Sequence, residues 1–234
     1  MVDTTGPISM EEDAIYLLEG GLHCSAAEMD AAMAILSPAE RTRAARFRYY
    51  RHRRRYVIAH ARLRQALSRV TGDAPQGFRF ELGKHGKPYL VDGPSFNLSH
   101  SRDRYLIGLS VSGRVGVDLE EERPVREMVA LARKKFSNEE VEVFLAAPEK
   151  DRTRVFFRIW TLKEAYLKGI GTGLATRLDS FAVRPEPGEA NALVRIDDPS
   201  EEVEAWFVRN WTVAGSAHAA LAIDRPRSAV VDLS

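Results

Sequence analysis

Asp118 and Glu120 stand two residues apart in VGVDLE, and Glu164 and Lys168 stand four apart in WTLKEAYLKG. Along an extended strand, residues i and i+2 share one face about 7 Å apart. The two strand carboxylates can therefore converge on one hard cation, which for Mg²⁺ means oxygen ligands at about 2.0–2.1 Å. Without a cation they would repel, and one would keep its proton to higher pH. Mg²⁺ commonly takes one or two protein carboxylates and fills its remaining positions with water and substrate phosphate, so such a site expects a phosphate ligand. An edge strand with solvent-facing acids is the plain alternative. Glu164 and Lys168 also read in two ways: as a surface i,i+4 pair contributing about 0.2–0.5 kcal/mol, or as parts of the same site.

A second group is cationic. Arg41, Arg43, Arg46, Arg48, Arg51, Arg53, Arg54 and Arg55 follow one another with no acidic residue between them. At helical spacing they point in all directions, so one ligand cannot engage them all. The planar guanidinium fork matches phosphate geometry, which favours a phosphate-bearing partner for the cluster. A solvated face paired with acids elsewhere is the bland alternative, and nucleic acid is the rival ligand. Ser99, His100 and Ser101 in SFNLSHS lack the G-x-S-x-G setting of a nucleophile elbow. A polar loop between strands explains them, and a hydroxyl with an imidazole at a strand end could hydrogen-bond a phosphate.

These groups need elements to hold them. Residues 155–174 read as a helix in which Phe156, Ile159, Trp160, Leu162, Tyr166, Leu167 and Ile170 form one apolar arc at about 100° per residue. Glu164 and Lys168 lie at its margin. Lys163 lies inside it, where snorkelling is the expected relief. Gly169, Gly171 and Gly173 follow this helix as cap and turn glycines, not as a dinucleotide fingerprint. Ser25 with Glu28, Ser37 with Glu40 and Ser137 with Glu140 are capping boxes, the second with Pro38 at the first helical position. The second opens a helical region over 38–70, broken once. Strands are expected over 14–19, 78–82, 95–101, 105–111, 115–120, 178–183, 193–196, 203–211 and 217–223. Turns are expected over 185–190 and 197–202, and nothing is assigned after Asp224. The apolar side chains over 141–157 suit core packing better than docking.

Composition sets the outer bounds. At 234 residues the chain can bury a substantial core. Its net charge of +1 excludes a polycation, so anion affinity must be local. The single cysteine, Cys24, excludes an internal disulfide and a multi-cysteine metal site. Acids near the N-terminus, where a secretory signal needs basic and then apolar residues, point to a cytoplasmic protein with no membrane partner.

Shifting the chain by 100 residues aligns it with itself. Ser37 falls on Ser137, Glu40 on Glu140, Tyr56 on Phe156, Leu67 on Leu167, and Ile15 and Leu17 on Val115 and Val117. The reading is an α+β protein of two similar α/β halves about a pseudo-two-fold, a monomeric pseudo-dimer with a boundary near Arg114. Residues 1–114 carry the arginines and residues 115–234 the acids, since Arg64 stands where the second half has Glu164. A cleft between them would set a cationic wall against a metal wall.

FNLSHS at 96–101, VGVDLE at 115–120 and WTLKEAYLKGIGTGL at 160–174, with HGKP at 85–88, closely resemble the ordered signatures of the Sfp-type 4′-phosphopantetheinyl transferases. The resemblance covers nearly the whole chain. It implies Mg²⁺-dependent transfer of the phosphopantetheine arm of coenzyme A to a serine hydroxyl of an acyl or peptidyl carrier protein, releasing 3′,5′-ADP. It also implies a role in secondary metabolite biosynthesis. By the same resemblance Asp118, Glu120 and Glu164 hold Mg²⁺, and Lys168 contacts phosphate. Ser99 and His100 bind the coenzyme's phosphates, Lys87 and Pro88 lie by the adenosine, and Arg43 and Arg55 take the 3′-phosphate. Glu40, where some relatives have a basic residue, is a departure. Glu164, or a water it orients, is the expected base. A nucleic-acid-binding module and a catalytically silent carrier-protein scaffold are the alternatives.

Overall fold

Capping decides where three of the helices begin. In the computed structural model, which describes residues 14–186, 188, 191–213, 215–224 and 230–232, the hydroxyls of Ser25, Ser37 and Ser137 each accept from the backbone N–H three residues on. Glu28, Glu40 and Glu140 reach back to close each box. The chain runs β1 (Ile15–Gly21), α1 (Ala26–Ile35), α2 (Pro38–Ala45), α3 (Tyr50–Thr71), β2 (Glu81–Leu82), β3 (Pro88–Tyr89), β4 (Ser95–Ser101) and β5 (Arg104–Ser110). It continues through β6 (Val115–Glu121), α4 (Met128–Lys135), α5 (Asn138–Ala146), α6 (Arg152–Ile170), β7 (Phe181–Val183), β8 (Leu193–Ile196), β9 (Phe207–Val213), β10 (Ala217–Ile223) and β11 (Val230–Asp232). The fold is α+β.

Two sheets organise it. One has the order β11-β1-β5-β4, the other β6-β10-β9, and β2–β3 and β7–β8 are separate hairpins. Strand periodicity then divides the side chains among three apolar clusters. Tyr16 and Leu18 turn toward α3 and its neighbours, while Ile15 and Leu17 meet Val115, Val117, Leu119 and Leu221 between the sheets. The other face of the second sheet receives α6. That face is flat where it must be: a Cβ on Gly116 would sit 2.1 Å from the Ala165 carbonyl oxygen and 2.2 Å from the Gly169 nitrogen. Asp118 and Glu120, two and four residues further along the same face, are thereby held beside α6.

Several boundaries differ from expectation for local reasons. The strand expected over 78–82 shrinks to Glu81–Leu82 because Phe78 turns into the first core, 7% exposed. Short 3₁₀ turns at Leu178–Ser180 and Val203–Ala205 precede β7 and β9. Of the expected turn 185–190, residues 187, 189 and 190 lie outside the described residues. The segment after Asp224, given no element from sequence, supplies β11, parallel to β1 through Ile15 and Val230. Phe144, Phe156 and Phe157 are core residues. No helix among the described residues is long and apolar enough to cross a membrane.

Candidate active site

Asp118 is 4% exposed, and a buried carboxylate needs partners. Its Oδ1 accepts from Lys168 Nζ at 2.6 Å and from Ser99 Oγ at 2.9 Å. Its Oδ2, also buried, has no hydrogen-bond partner. Glu120 accepts from Arg123 at 2.6 Å and from Ser101 Oγ at 3.2 Å. Glu164, half-buried on α6, has its pKa raised, first by burial and then by the charge of Asp118, with a smaller push from Glu120 and an opposing pull from Lys168. The three acids thus feel one another. Among the described residues, no three His, Cys, Asp or Glu side chains are gathered into a ready-made metal cage. Lys168 contacts Asp118 instead of forming a surface pair with Glu164.

Beside Glu120 is a cavity of about 440 Å³ lined also by Arg43, Arg55, Tyr56, His60, His100, Ser101 and Arg123; Asp118, Glu164, Lys168 and Ser99 are not among its lining residues. Arg43 stands over the Tyr56 ring, 5.4 Å from its centroid. Arg55 grips Asp103 with two bonds, at 3.0 and 2.8 Å, and Arg54 binds the same carboxylate. The hydrogen bond from Arg55 is the main reason that Asp103 titrates down at about 2. The His100 imidazole is lowered by the packing around it, then by Lys168 and Arg55. His60 is pushed down to about 4 by burial, against the bond between its Nδ1 and the Tyr56 carbonyl. Burial thus favours the neutral form of His60 and His100, beside permanent guanidinium charge.

Lys87 and Pro88 lie apart from this cavity's lining. Pro88 is exposed at the start of β3. Lys87 Nζ donates to the Val115 carbonyl at 2.9 Å and the Gly169 carbonyl at 3.1 Å, the latter at the C-terminal end of α6. Burial pulls its pKa down to about 8.

Lys163 does not snorkel. It is fully buried, with Nζ 2.6 Å from Glu140 Oε1 and 2.7 Å from the Phe181 carbonyl oxygen. Glu40, the departure noted above, does the matching job in the first half: it binds the buried Arg64 at 2.9 Å. Sequence reasoning missed these inward-turned capping glutamates because a capping box explains the residue without asking what else its carboxylate binds. It also missed Asp103, flanked by Arg102 and Arg104, and Arg123, which follows three glutamates, because neither run marks one charge out from its neighbours.

Comparison with known proteins bears on both halves. A family model described as the 4′-phosphopantetheinyl transferase superfamily matches residues 114–222, and one described as 4′-phosphopantetheinyl transferase, N-terminal, matches residues 23–111. The chain is 34% identical to 4′-phosphopantetheinyl transferase HetI of Nostoc sp. over 187 residues, covering 78% of each protein. It is 32% identical to 4′-phosphopantetheinyl transferase Sfp of Bacillus subtilis, covering 65% of this chain and 67% of that one. The crystal structure of Thermotoga maritima holo-[acyl-carrier-protein] synthase aligns with a TM-score of 0.37 at 22% identity, over 48% of this chain and 63% of that one.

Proposed function

The chain belongs to the 4′-phosphopantetheinyl transferases, an enzyme family that modifies carrier proteins, and from that premise we propose how its residues divide the work. The reaction moves the 4′-phosphopantetheine arm of coenzyme A to a serine hydroxyl of an apo carrier protein and releases 3′,5′-ADP. Asp118, Glu120 and Glu164 would hold Mg²⁺. The observation that carries this is the buried Oδ2 of Asp118, which lacks a partner beside two further carboxylates. An unpaired buried carboxylate oxygen is costly, and oxygen donors of this kind suit a hard cation. When bound, the ion supplies positive charge to the pyrophosphate oxygens.

Lys168, which donates to Asp118 and to Ser99, would turn its third N–H to a phosphate. Glu164, or a water it orients, would take the proton from the attacking serine, a contribution of about 10²–10⁴-fold for positioned proton transfer. Arg43 and Arg55 would receive the 3′-phosphate. Arg43 brings the larger net charge, since Arg55 is already neutralised by Asp103. His100 would flank the other phosphates, Ser99 would act through the Asp118 and Lys168 groups it binds, and Lys87 and Pro88 would lie on the adenosine side. Residues 1–114 then form the coenzyme side and residues 115–234 the acid side of a monomeric, cytoplasmic enzyme serving secondary metabolism. Nucleic acid is disfavoured because 4′-phosphopantetheinyl transferase models match residues 23–111 and 114–222, the arginine-rich segment included.

The test is mass spectrometry of several apo carrier proteins incubated with coenzyme A, with Mg²⁺ and with EDTA. A phosphopantetheine mass gain that EDTA abolishes is expected. No gain on any carrier would overturn the reading.

A further inference from the structure

β4 and β6 are the facing edges of the two sheets, yet they share no backbone ladder. Three alternate side chains of β4 fill the gap. Asn97 Oδ1 accepts from the Val117 N–H at 2.8 Å, Ser99 Oγ from the Leu119 N–H at 3.2 Å, and Ser101 Oγ from the Glu121 N–H at 3.1 Å. Each bond spans twenty residues of sequence, so the two strands run in the same direction in fixed register. All three side chains are less than a tenth exposed. An edge strand left with unpaired, buried N–H groups would be costly, and these rungs satisfy them.

The hydroxyls do a second thing. A serine oxygen has one proton to donate and two lone pairs to accept with. Ser99 gives its proton to Asp118 Oδ1, and Ser101 gives its proton to Glu120 Oε2. Each serine thus accepts from one residue of β6 and donates to the carboxylate of the residue before it. Asn97 has no carboxylate opposite, because the corresponding residue is Gly116, the point of closest approach to α6. A one-residue slip would turn every β6 side chain to the other face and present Val117 and Leu119 to the cleft instead of the acids.

We infer that Asn97 and Ser101 are positioning residues: with Ser99 they form side-chain rungs that join the two halves and fix the register and orientation of Asp118 and Glu120. The inference rests on the reading of those acids as metal ligands. Asn97 is absent from the cavity lining, and Ser101 borders it with its hydroxyl taken by the Glu121 N–H and Glu120, so each acts through β6. Partners of this kind behind a metal ligand typically change affinity or activity by about 10–100-fold when removed.

Three measurements on the full chain test it: amide hydrogen exchange at Val117, Leu119 and Glu121 by NMR, Mn²⁺ binding by electron paramagnetic resonance, and steady-state kinetics with coenzyme A. Ser101→Ala is expected to speed exchange at Glu121 about tenfold or more and to weaken Mn²⁺ binding by about tenfold. It should lower kcat with little change in the KM for coenzyme A, and Ser101→Thr, which keeps the hydroxyl, should restore all three. Asn97→Leu, close in volume but without an acceptor, should speed exchange at Val117 and weaken Mn²⁺ binding, whereas Asn97→Asp, which keeps the acceptor, should retain slow exchange. Faster exchange with unchanged Mn²⁺ affinity and unchanged kcat would make the rungs fasteners only and overturn the inference. Absence of Mn²⁺ binding by the unaltered protein would overturn the metal reading, and this inference with it.

Discussion

Removing Glu140 from the Lys163–Glu140 pair should cost more than removing both members, and the two single losses should be unequal. Both side chains are 1% exposed or less, the setting in which breaking an ion pair costs about 3–5 kcal/mol because a charge is left alone. The partners are not equally supported. Glu140 accepts from the Val183 N–H at 2.8 Å on Oε1 and from the Ser137 N–H at 2.8 Å on Oε2, as well as from Lys163. In Lys163→Met the carboxylate keeps two backbone donors, so the loss should sit near the lower end, about 3 kcal/mol. In Glu140→Leu the ammonium keeps only the Phe181 carbonyl and the face of its ring, 4.2 Å from the centroid. Two buried N–H groups also lose their acceptor at about 1–3 kcal/mol each, so the loss should exceed about 5 kcal/mol. The double variant should be more stable than Glu140→Leu alone by at least about 1 kcal/mol, since no buried charge remains. Urea unfolding followed by tryptophan fluorescence gives these differences from midpoint and slope. The reasoning fails if Lys163→Met costs less than about 1 kcal/mol, or if the double variant is no more stable than Glu140→Leu. A pH series adds a second check. Burial pulls Lys163 down to about 8, so between that value and its unfolded pKa the unfolded chain binds more protons. Stability contributed through this group should therefore rise with pH across that window, and the rise should be smaller in Lys163→Met.

Glu164→Gln should lower turnover about 10²–10⁴-fold while leaving the dissociation constant for coenzyme A within a few-fold; an unchanged rate on a carrier substrate would remove its role as base. Because burial and Asp118 raise the Glu164 pKa, its carboxyl should titrate above the ordinary glutamate range in the metal-free protein, followed by NMR. Glu120→Gln, which removes a weaker push in the same direction, should move that metal-free titration to lower pH. Gly116→Ala would drive a methyl group into the α6 backbone, so unfolding free energy should drop by about 3 kcal/mol or more, measured by thermal or urea melts. Asp103→Asn should free Arg54 and Arg55 and tighten binding of 3′,5′-ADP, read by calorimetry; weaker binding would mean that Asp103 orients the guanidinium groups instead of masking them.

Much of this architecture was legible because it is local. The three Ser-x-x-Glu boxes, the apolar arc of 155–170 and the alternation of 115–120 are decided within a few residues, and each appears with shifts of a few residues at its ends. Gly171 in the left-handed region, at φ 75°, ends α6 as its type suggests. What was not legible depends on distance in sequence. The period-two polar residues of FNLSHS were visible, but that they face the N–H groups of β6 follows only once the sheets meet. Lys163 remained unexplained from sequence because its partner lies 23 residues away, and the segment 230–232 has too few residues for any periodicity to show.

That last strand has a consequence for how the molecule is made. β11 lies along β1, with Ile15 opposite Val230, so the first sheet takes its outer strand from residues that leave the ribosome long after the rest of that sheet. Closing so long a loop costs little more than closing a shorter one, since the penalty grows only with the logarithm of length, but pairing distant segments is slow. During synthesis the N-terminal half must therefore wait with β1 exposed as an edge, a surface to which other chains can add.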